Sequence, residues 1–413
     1  MNRTRRALLC AATLIAVTLP VLPPAATTAA AAGGGPGGGR PNCVDSPRPA
    51  RGSEARAIVD LARTAQGELG LKSVVLRVTR GGREVVTAAM GESMTGVPAT
   101  PDMHLRVGSV GIEYMGTVLL QLVDEGRVSL DDPVARWLPD LPHAKEITLR
   151  MLGNSTSGLH DYVTDPVFLA ELGAHPFRHW TPQELVGIST AHDLWYEPGT
   201  NFSYSHANFV LLGAALEKIT GIRLDHLLRR RVTGPLGLPD TRNSFTPEIA
   251  PPPVLHAFSS GRGTYEETTY WNPSWTTAPG AVLTSHICDL ARSARGIGRG
   301  ELLSPEAFAT QLDPGTVGLG HETRTCPKTV CLRNTERWHF GMGFIVDHDW
   351  IYTNPSFTGY AAISAYFPGS DLAVAVSATE GPDTDLVNPA EEIQHRIAAL
   401  LTPGHVPGGP DSA

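Results

Sequence analysis

Few residues in this chain are placed to do chemistry. Ser109 heads a stretch of helical spacing, and Glu113 follows at i+4, a position that shares its helix face. A serine hydroxyl is a poor nucleophile at neutral pH and needs an adjacent base. Lysine is scarce as a candidate: of 33 basic residues only Lys72, Lys145, Lys218 and Lys328 are lysines. Histidine is plentiful at 15 residues, and its unperturbed pKa near 6.5 suits it to base work. The pairs His192-Asp193 and His348-Asp349 lack a third ligand at suitable spacing, so neither a metal nor a cofactor is expected.

These residues need elements to hold them. From Ser109 to Glu125 the apolar residues Met115, Val118, Leu119 and Leu122 recur at helical spacing, with Gly126 as the cap. Ala207 to Thr220 reads as a second helix, stopped by Gly221. Ser73–Arg80 and Glu84–Gly91 are β-branched runs around Gly81-Gly82, a hairpin signal. Strands return at Phe340–Val346, Trp350–Thr353, Tyr360–Phe367 and Leu372–Ala378. A last helix, Pro389–Leu401, opens with proline. Strands at both ends around a helical middle predict an α+β fold: an antiparallel sheet flanked by helices, with a mainly helical region, roughly 109–275, inserted. A pocket between the two lobes is the default site.

The balance of 33 basic against 41 acidic residues argues against nucleic acid and against anionic lipid as partners. Residues 1–32 run from a basic start (Arg3, Arg5, Arg6) through an apolar stretch to small residues, the pattern of a secretory signal peptide. A secreted protein with no transmembrane anchor after signal removal is expected. Residues 33–54 read as a Gly/Pro-rich linker, 55–402 as the folded domain and 403–413 as a flexible tail. Four cysteines remain past the signal. Export permits disulfides, and Cys326 with Cys331 is expected to close a small loop; Cys43 with Cys288 would complete the set, although the sequence does not decide among the three possible pairings.

Several stretches carry a resemblance: Leu105–Glu113, Leu119–Gly126, Leu130–Val134, Thr156–Leu159, Pro198–Ser205, Asn208–Gly213 and Pro279–Val282. In order along residues 55–400, they resemble the serine β-lactamase and penicillin-binding family, nearest the class C β-lactamases and the secreted D-alanyl-D-alanine carboxypeptidases. The resemblance implies a serine nucleophile in an S-x-x-K motif, a Y-x-N motif opposite and a K-T-G or H-x-G strand beside the pocket. Ser109 stands at the serine. However, Ile112 stands at the lysine, His206 at the asparagine of Tyr204-Ser205-His206, and Thr353-Asn354-Pro355 at the strand motif. Ser155 replaces a histidine usual in the family, and no other lysine falls on a motif.

Two readings follow. In the first, His206 replaces the missing lysine as base, Glu113 orients it, and Tyr204 donates a proton to the leaving group. The backbone N–H groups of Ser109 and Ser356 then form the oxyanion hole, while Asn354 and Trp195 contact a small-molecule or peptide substrate bearing an acyl, ester or amide group. The chain is then a serine hydrolase or acyltransferase. In the second, the motifs have decayed and the protein binds a cell-wall peptide or acyl ligand without turnover. Lysine-dependent turnover of penicillin or D-Ala-D-Ala is not expected in either.

Overall fold

The computed structural model describes residues 51–244 and 251–410. The expected signal peptide, most of the linker, and Cys43 lie outside the described residues. Helix α1 (Ser53–Glu68) leads into the predicted hairpin of β1 (Leu71–Arg80) and β2 (Arg83–Met94), followed by β3 (Val97–Pro98). Strand β4 (Leu105–Arg106) delivers the chain to α2 (Val110–Asp124). The helical region continues with α3 (Leu149–Gly153), α4 (Pro166–Ala174), α5 (Pro182–Thr190) and α6 (His206–Thr220). Short helices α7 (Leu224–Leu228) and α8 (Gly234–Leu236) follow. Then come β5 (Arg242–Asn243), β6 (Phe258–Ser259), β7 (Glu266–Glu267) and β8 (Leu283–Ser285). The chain returns through α9 (Ile287–Gly298) and α10 (Pro305–Leu312) to β9 (Trp338–Phe340), β10 (Ile345–Asp347) and β11 (Trp350–Thr353). Strands β12 (Ser356–Phe357), β13 (Tyr360–Phe367) and β14 (Leu372–Glu380) and helix α11 (Pro389–Leu401) complete it.

The main sheet is antiparallel, ordered β3-β2-β1-β14-β13-β11-β10-β9, with β12 paired on β13. Its central strands are covered on both faces, and the two-residue period sorts their side chains. Leu372, Val374 and Val376 join Val74, Leu76 and Val78 under α1 and α11. Ala373 and Ala375 join the larger core on the opposite face, with α2 and α9. Each fully buried aliphatic side chain here contributes about 1.5–3 kcal/mol. The fold class is therefore the expected α+β arrangement of helices and antiparallel sheet.

Two details differ from the sequence reading. The run Phe340–Val346, expected as one strand, is split between β9 and β10. Gly341 donates to the Phe344 carbonyl at 2.9 Å, and Gly343, at φ +91°, reverses the chain against α2. Residues 403–410, expected to be flexible tail, are tied to the sheet. Trp350 Nε1 donates to the His405 carbonyl at 2.9 Å, and the N–H groups of Gly408 and Gly409 donate to Asp347 Oδ2. Cys326 and Cys331 are joined, as expected. Cys288 is also in a disulfide, and its expected partner Cys43 lies outside the described residues.

Candidate active site

Ser109 is the N-cap of α2, but an unusual one. A capping serine normally adopts an extended backbone and accepts an N–H from its own first turn. Ser109 instead has helical angles, φ −63° and ψ −12°, and its side chain makes no capping bond. Ser109 lines a cleft of about 600 Å³. Tyr204, His206, Asn354 and Ser356 line the same cleft, as does Ile112, one turn into α2. Phe202, Trp275, Phe340, Phe344 and Tyr352 supply an aromatic part of its walls.

Tyr204 and His206 arrive on the segment that starts α6, whose N-cap Ser205 accepts the Ala207 N–H. Burial, and then the charge of Asp161, push the Tyr204 phenol well above its ordinary range. A hydrogen-bonding contact with Ser109 pulls it partly back. Tyr204 is therefore a neutral donor at physiological pH. Its ring meets His206 edge-on, at 5.1 Å and 89°. His206 Nδ1 lies 3.0 and 3.1 Å from the two oxygens of Asp161, and the side chains are only 18% and 12% exposed. Asp161 Oδ1 also accepts the backbone N–H of His206 and of Val163. With Nδ1–H donating to the carboxylate, a neutral His206 carries its free lone pair on Nε2. Among the described residues no hydrogen bond joins His206 directly to Ser109.

Ser155 knits this arrangement together. Its hydroxyl donates to the Ser203 carbonyl and accepts from the Ser205 N–H and from Asn208 Nδ2. Ser205 in turn donates to the His160 carbonyl. The loop carrying Asp161 and the segment carrying His206 are thus one buried hydrogen-bonded unit.

The opposite rim is built by β12. The Ala362 N–H donates to the Pro355 carbonyl at 2.8 Å, so 355 and 362 form a hydrogen-bonded pair. Bonded and non-bonded pairs alternate in an antiparallel ladder, so Ser356, opposite Ala361, turns its N–H away from β13. The Ser356 carbonyl lies against Gly108, next to the start of α2. Proline cannot donate its half of the 355–362 pair. Asn388 Nδ2 does so instead, reaching the Ala362 carbonyl at 3.2 Å and the Asn354 carbonyl at 2.9 Å. The Asn354 side chain donates to Glu391 at 2.9 Å.

Two expected site residues sit elsewhere. Glu113 is fully buried away from the cleft, where its Oε1 accepts from Ser293 on α9. Burial pushes its carboxyl up to about 8. The residue that orients His206 is Asp161, 45 residues before it in the chain. Trp195 does not line the cleft: its ring stacks on His160 with centroids 3.7 Å apart. Trp275 takes the aromatic position instead.

The Beta-lactamase family profile matches residues 58–398. A D-aminopeptidase of Brucella anthropi is 33% identical over 167 residues, 39% of this chain and 31% of that protein. Penicillin-binding protein 4* of Bacillus subtilis is 30% identical over 38% of this chain and 34% of its own length. The matches thus span about a third of those relatives. Among solved structures, a D-stereospecific amidohydrolase from Streptomyces superposes with a TM-score of 0.70 at 27% identity, over 84% of this chain and 98% of the other. The D-amino acid amidase of Ochrobactrum anthropi shares the fold, with a TM-score of 0.70 at 22% identity, over 84% and 99%. From the matched span, the shared fold and the serine at the head of α2, the chain belongs to the β-lactamase family, with the serine β-lactamases and penicillin-binding proteins.

Proposed function

We propose that this is a secreted serine hydrolase or acyltransferase with an altered active site, in which Ser109 is acylated and His206, backed by Asp161, replaces the family's lysine. The observation that carries the reading is one cleft lined by Ser109, Tyr204 and an aspartate-oriented histidine. Ser109 Oγ attacks the substrate carbonyl. Its proton passes to the Tyr204 oxygen while the Tyr204 proton passes to the leaving group, so the phenol stays neutral throughout. The N–H groups of Ser109 and Ser356 hold the oxyanion. In the second step His206 Nε2 takes the proton of a water or acceptor hydroxyl as it attacks the acyl-enzyme. The imidazolium that forms is stabilised by Asp161 and returns the proton to Ser109 as the ester breaks.

The aromatic walls suit a substrate with an apolar acyl part. The relatives' names point to amides of D-amino acids as the first to try. Intact-mass analysis after a fluorophosphonate tests the reading: one adduct is expected, absent in Ser109→Ala. Hydrolysis of D-phenylalanine amide or its aryl ester is then expected to require His206.

A second reading, binding without turnover, rests on Ile112, an apolar residue that brings no base to Ser109. No adduct with any acylating probe, together with tight binding of an acyl peptide, would select it.

A further inference from the structure

Away from the cleft, the ligand atoms of Asp240, His286 and Asp289 gather at one point, with His104 beside Asp240. His104 immediately precedes β4. His286 follows β8, which pairs with β4, and caps α9. Asp289 lies on the first turn of α9, and Asp240 on the loop before β5. His104, His286 and Asp289 are 6%, 2% and 2% exposed. None of the four lines the Ser109 cleft.

Their hydrogen bonding is incomplete on one side only. His104 Nδ1 is 3.2 Å from the Pro253 carbonyl and must donate to it, so a neutral ring turns a bare lone pair at Nε2 toward Asp240 Oδ1, 3.6 Å away. His286 Nε2 is 3.0 Å from Asp240 Oδ2. Both Nε2 atoms are buried and without a well-aligned hydrogen-bond partner. Asp289 Oδ2 accepts from the Asp240 N–H and the Thr241 hydroxyl, and one carboxylate oxygen of Asp289 lies close to the ligand atoms of Asp240 and His286. Ligand atoms of Asp240, His286 and Asp289 lie within 4.8 Å of one another. Donors held by one ion at about 2.0–2.1 Å in a tetrahedron are about 3.4 Å apart. The 3.0 and 3.6 Å contacts bracket that spacing.

We propose that His104, Asp240, His286 and Asp289 form a structural site for a divalent transition metal, best suited to zinc. Two imidazoles and two carboxylates match zinc's preference for nitrogen and oxygen donors, and two carboxylates balance its charge. Ligation at His286 Nε2 moves that ring's proton to Nδ1 and gives up its 3.3 Å bond from the Asp289 N–H, a long contact. Arg242, 3.3 Å from Asp240 Oδ1, swings toward solvent, where over half of its side chain already lies. The ion ties the β4–β8 pair to the start of α9, and β4 leads within three residues to Ser109.

The test is zinc binding by the purified full chain after treatment with a chelator. One zinc per chain is expected, with sub-micromolar Kd and a rise in Tm of about 5 °C at saturation. X-ray absorption of the zinc-loaded wild type should count two imidazoles and two oxygen ligands. Asp240→Asn and His104→Gln should each weaken binding at least about tenfold, while His405→Ala should not. Uptake well below one zinc per chain, a zinc shell without imidazole, or Asp240→Asn binding as tightly as wild type would overturn the proposal. The absorption measurement decides even if a variant fails to fold.

Discussion

Asp161→Asn perturbs the proposed chemistry at one atom. Asp161 Oδ1 accepts two backbone N–H groups, at 3.1 and 3.2 Å, and an asparagine oxygen there keeps both. The amide NH₂ then falls where Oδ2 sits, 3.0 Å from His206 Nδ1. An amide nitrogen donates and cannot accept. The NH₂ now competes with the remaining oxygen, 3.1 Å from the same Nδ1, and favours the tautomer with its proton on Nε2, in which the lone pair that activates water is lost. A hydrogen bond to a charged group is worth about 1.5–3 kcal/mol, which alone is about 10- to 150-fold in rate. The wrong tautomer adds to this, and in serine triads the same change costs about 10⁴. We expect kcat for ester hydrolysis to fall by about 10²–10⁴, with Tm unchanged. Stopped-flow with an aryl ester should show the burst of acylation retained, and mass spectrometry should show acyl-Ser109 accumulating. Turnover within about threefold of wild type, or a loss confined to acylation, would refute the assignment of His206–Asp161 to deacylation.

Three further outcomes are expected. Burial raises the Glu113 carboxyl to about 8 in the folded chain, against about 4.5 when it is free in water, so between those values the folded chain holds the extra proton. Stability therefore falls as pH rises from about 4.5 to about 8, by about 1.4 kcal/mol per pH unit, or about 3 kcal/mol by pH 7. Glu113→Gln should abolish that slope in urea melts at pH 5 and pH 8 and leave turnover unchanged; a large loss of kcat would return Glu113 to the catalytic set. Gly343→Ala places a Cβ 2.7 Å from the Ile112 carbonyl at φ +91°, and should cost about 2–4 kcal/mol by denaturant titration. Ile112→Lys buries an amine beside Ser109 and should cost about 2 kcal/mol, while labelling by a fluorescent penicillin rises at least about tenfold.

Much of the fold was legible because its signals are local and periodic. The apolar runs of β13 and β14, the Gly81-Gly82 turn, the proline opening α11 and the Gly221 stop of α6 each act within a few residues. The split between β9 and β10 was not legible. The apolar run continues through it, and the break comes from Gly343 packing on α2, a contact between segments more than 200 residues apart. The hold on residues 403–410 is also nonlocal, since it depends on Asp347 and Trp350.

The site divides along the same line. Positions i+3 and i+4 flank a helical residue on opposite sides, about 60° one way and about 40° the other. Spacing alone could not say which side faces the cleft. The cleft takes the Ile112 side and α9 takes the Glu113 side. Asp161 has no sequence signal for its role: it is 45 residues from His206, and its bond to the Val163 N–H resembles an ordinary turn cap. The four residues of the proposed metal site are likewise invisible to a search for paired ligands, because they come from three separate stretches of chain.

Ile112 and His206 make sense together. In the proposed mechanism His206 becomes an imidazolium during deacylation, in a cleft with several aromatic side chains in its walls. An ammonium at residue 112, lining the same cleft, would oppose that charge where the dielectric is low. An apolar residue at 112 removes the like charge and leaves Asp161 as the counter-ion of His206. The loss of one base and the gain of the other are then a single change. It follows that Ile112→Lys should speed acylation of Ser109 and slow its release, so that a stable acyl-enzyme collects, whereas Ile112→Lys with His206→Asn should release its acyl group faster than Ile112→Lys alone. Equal release rates in the two variants would mean that residues 112 and 206 act independently.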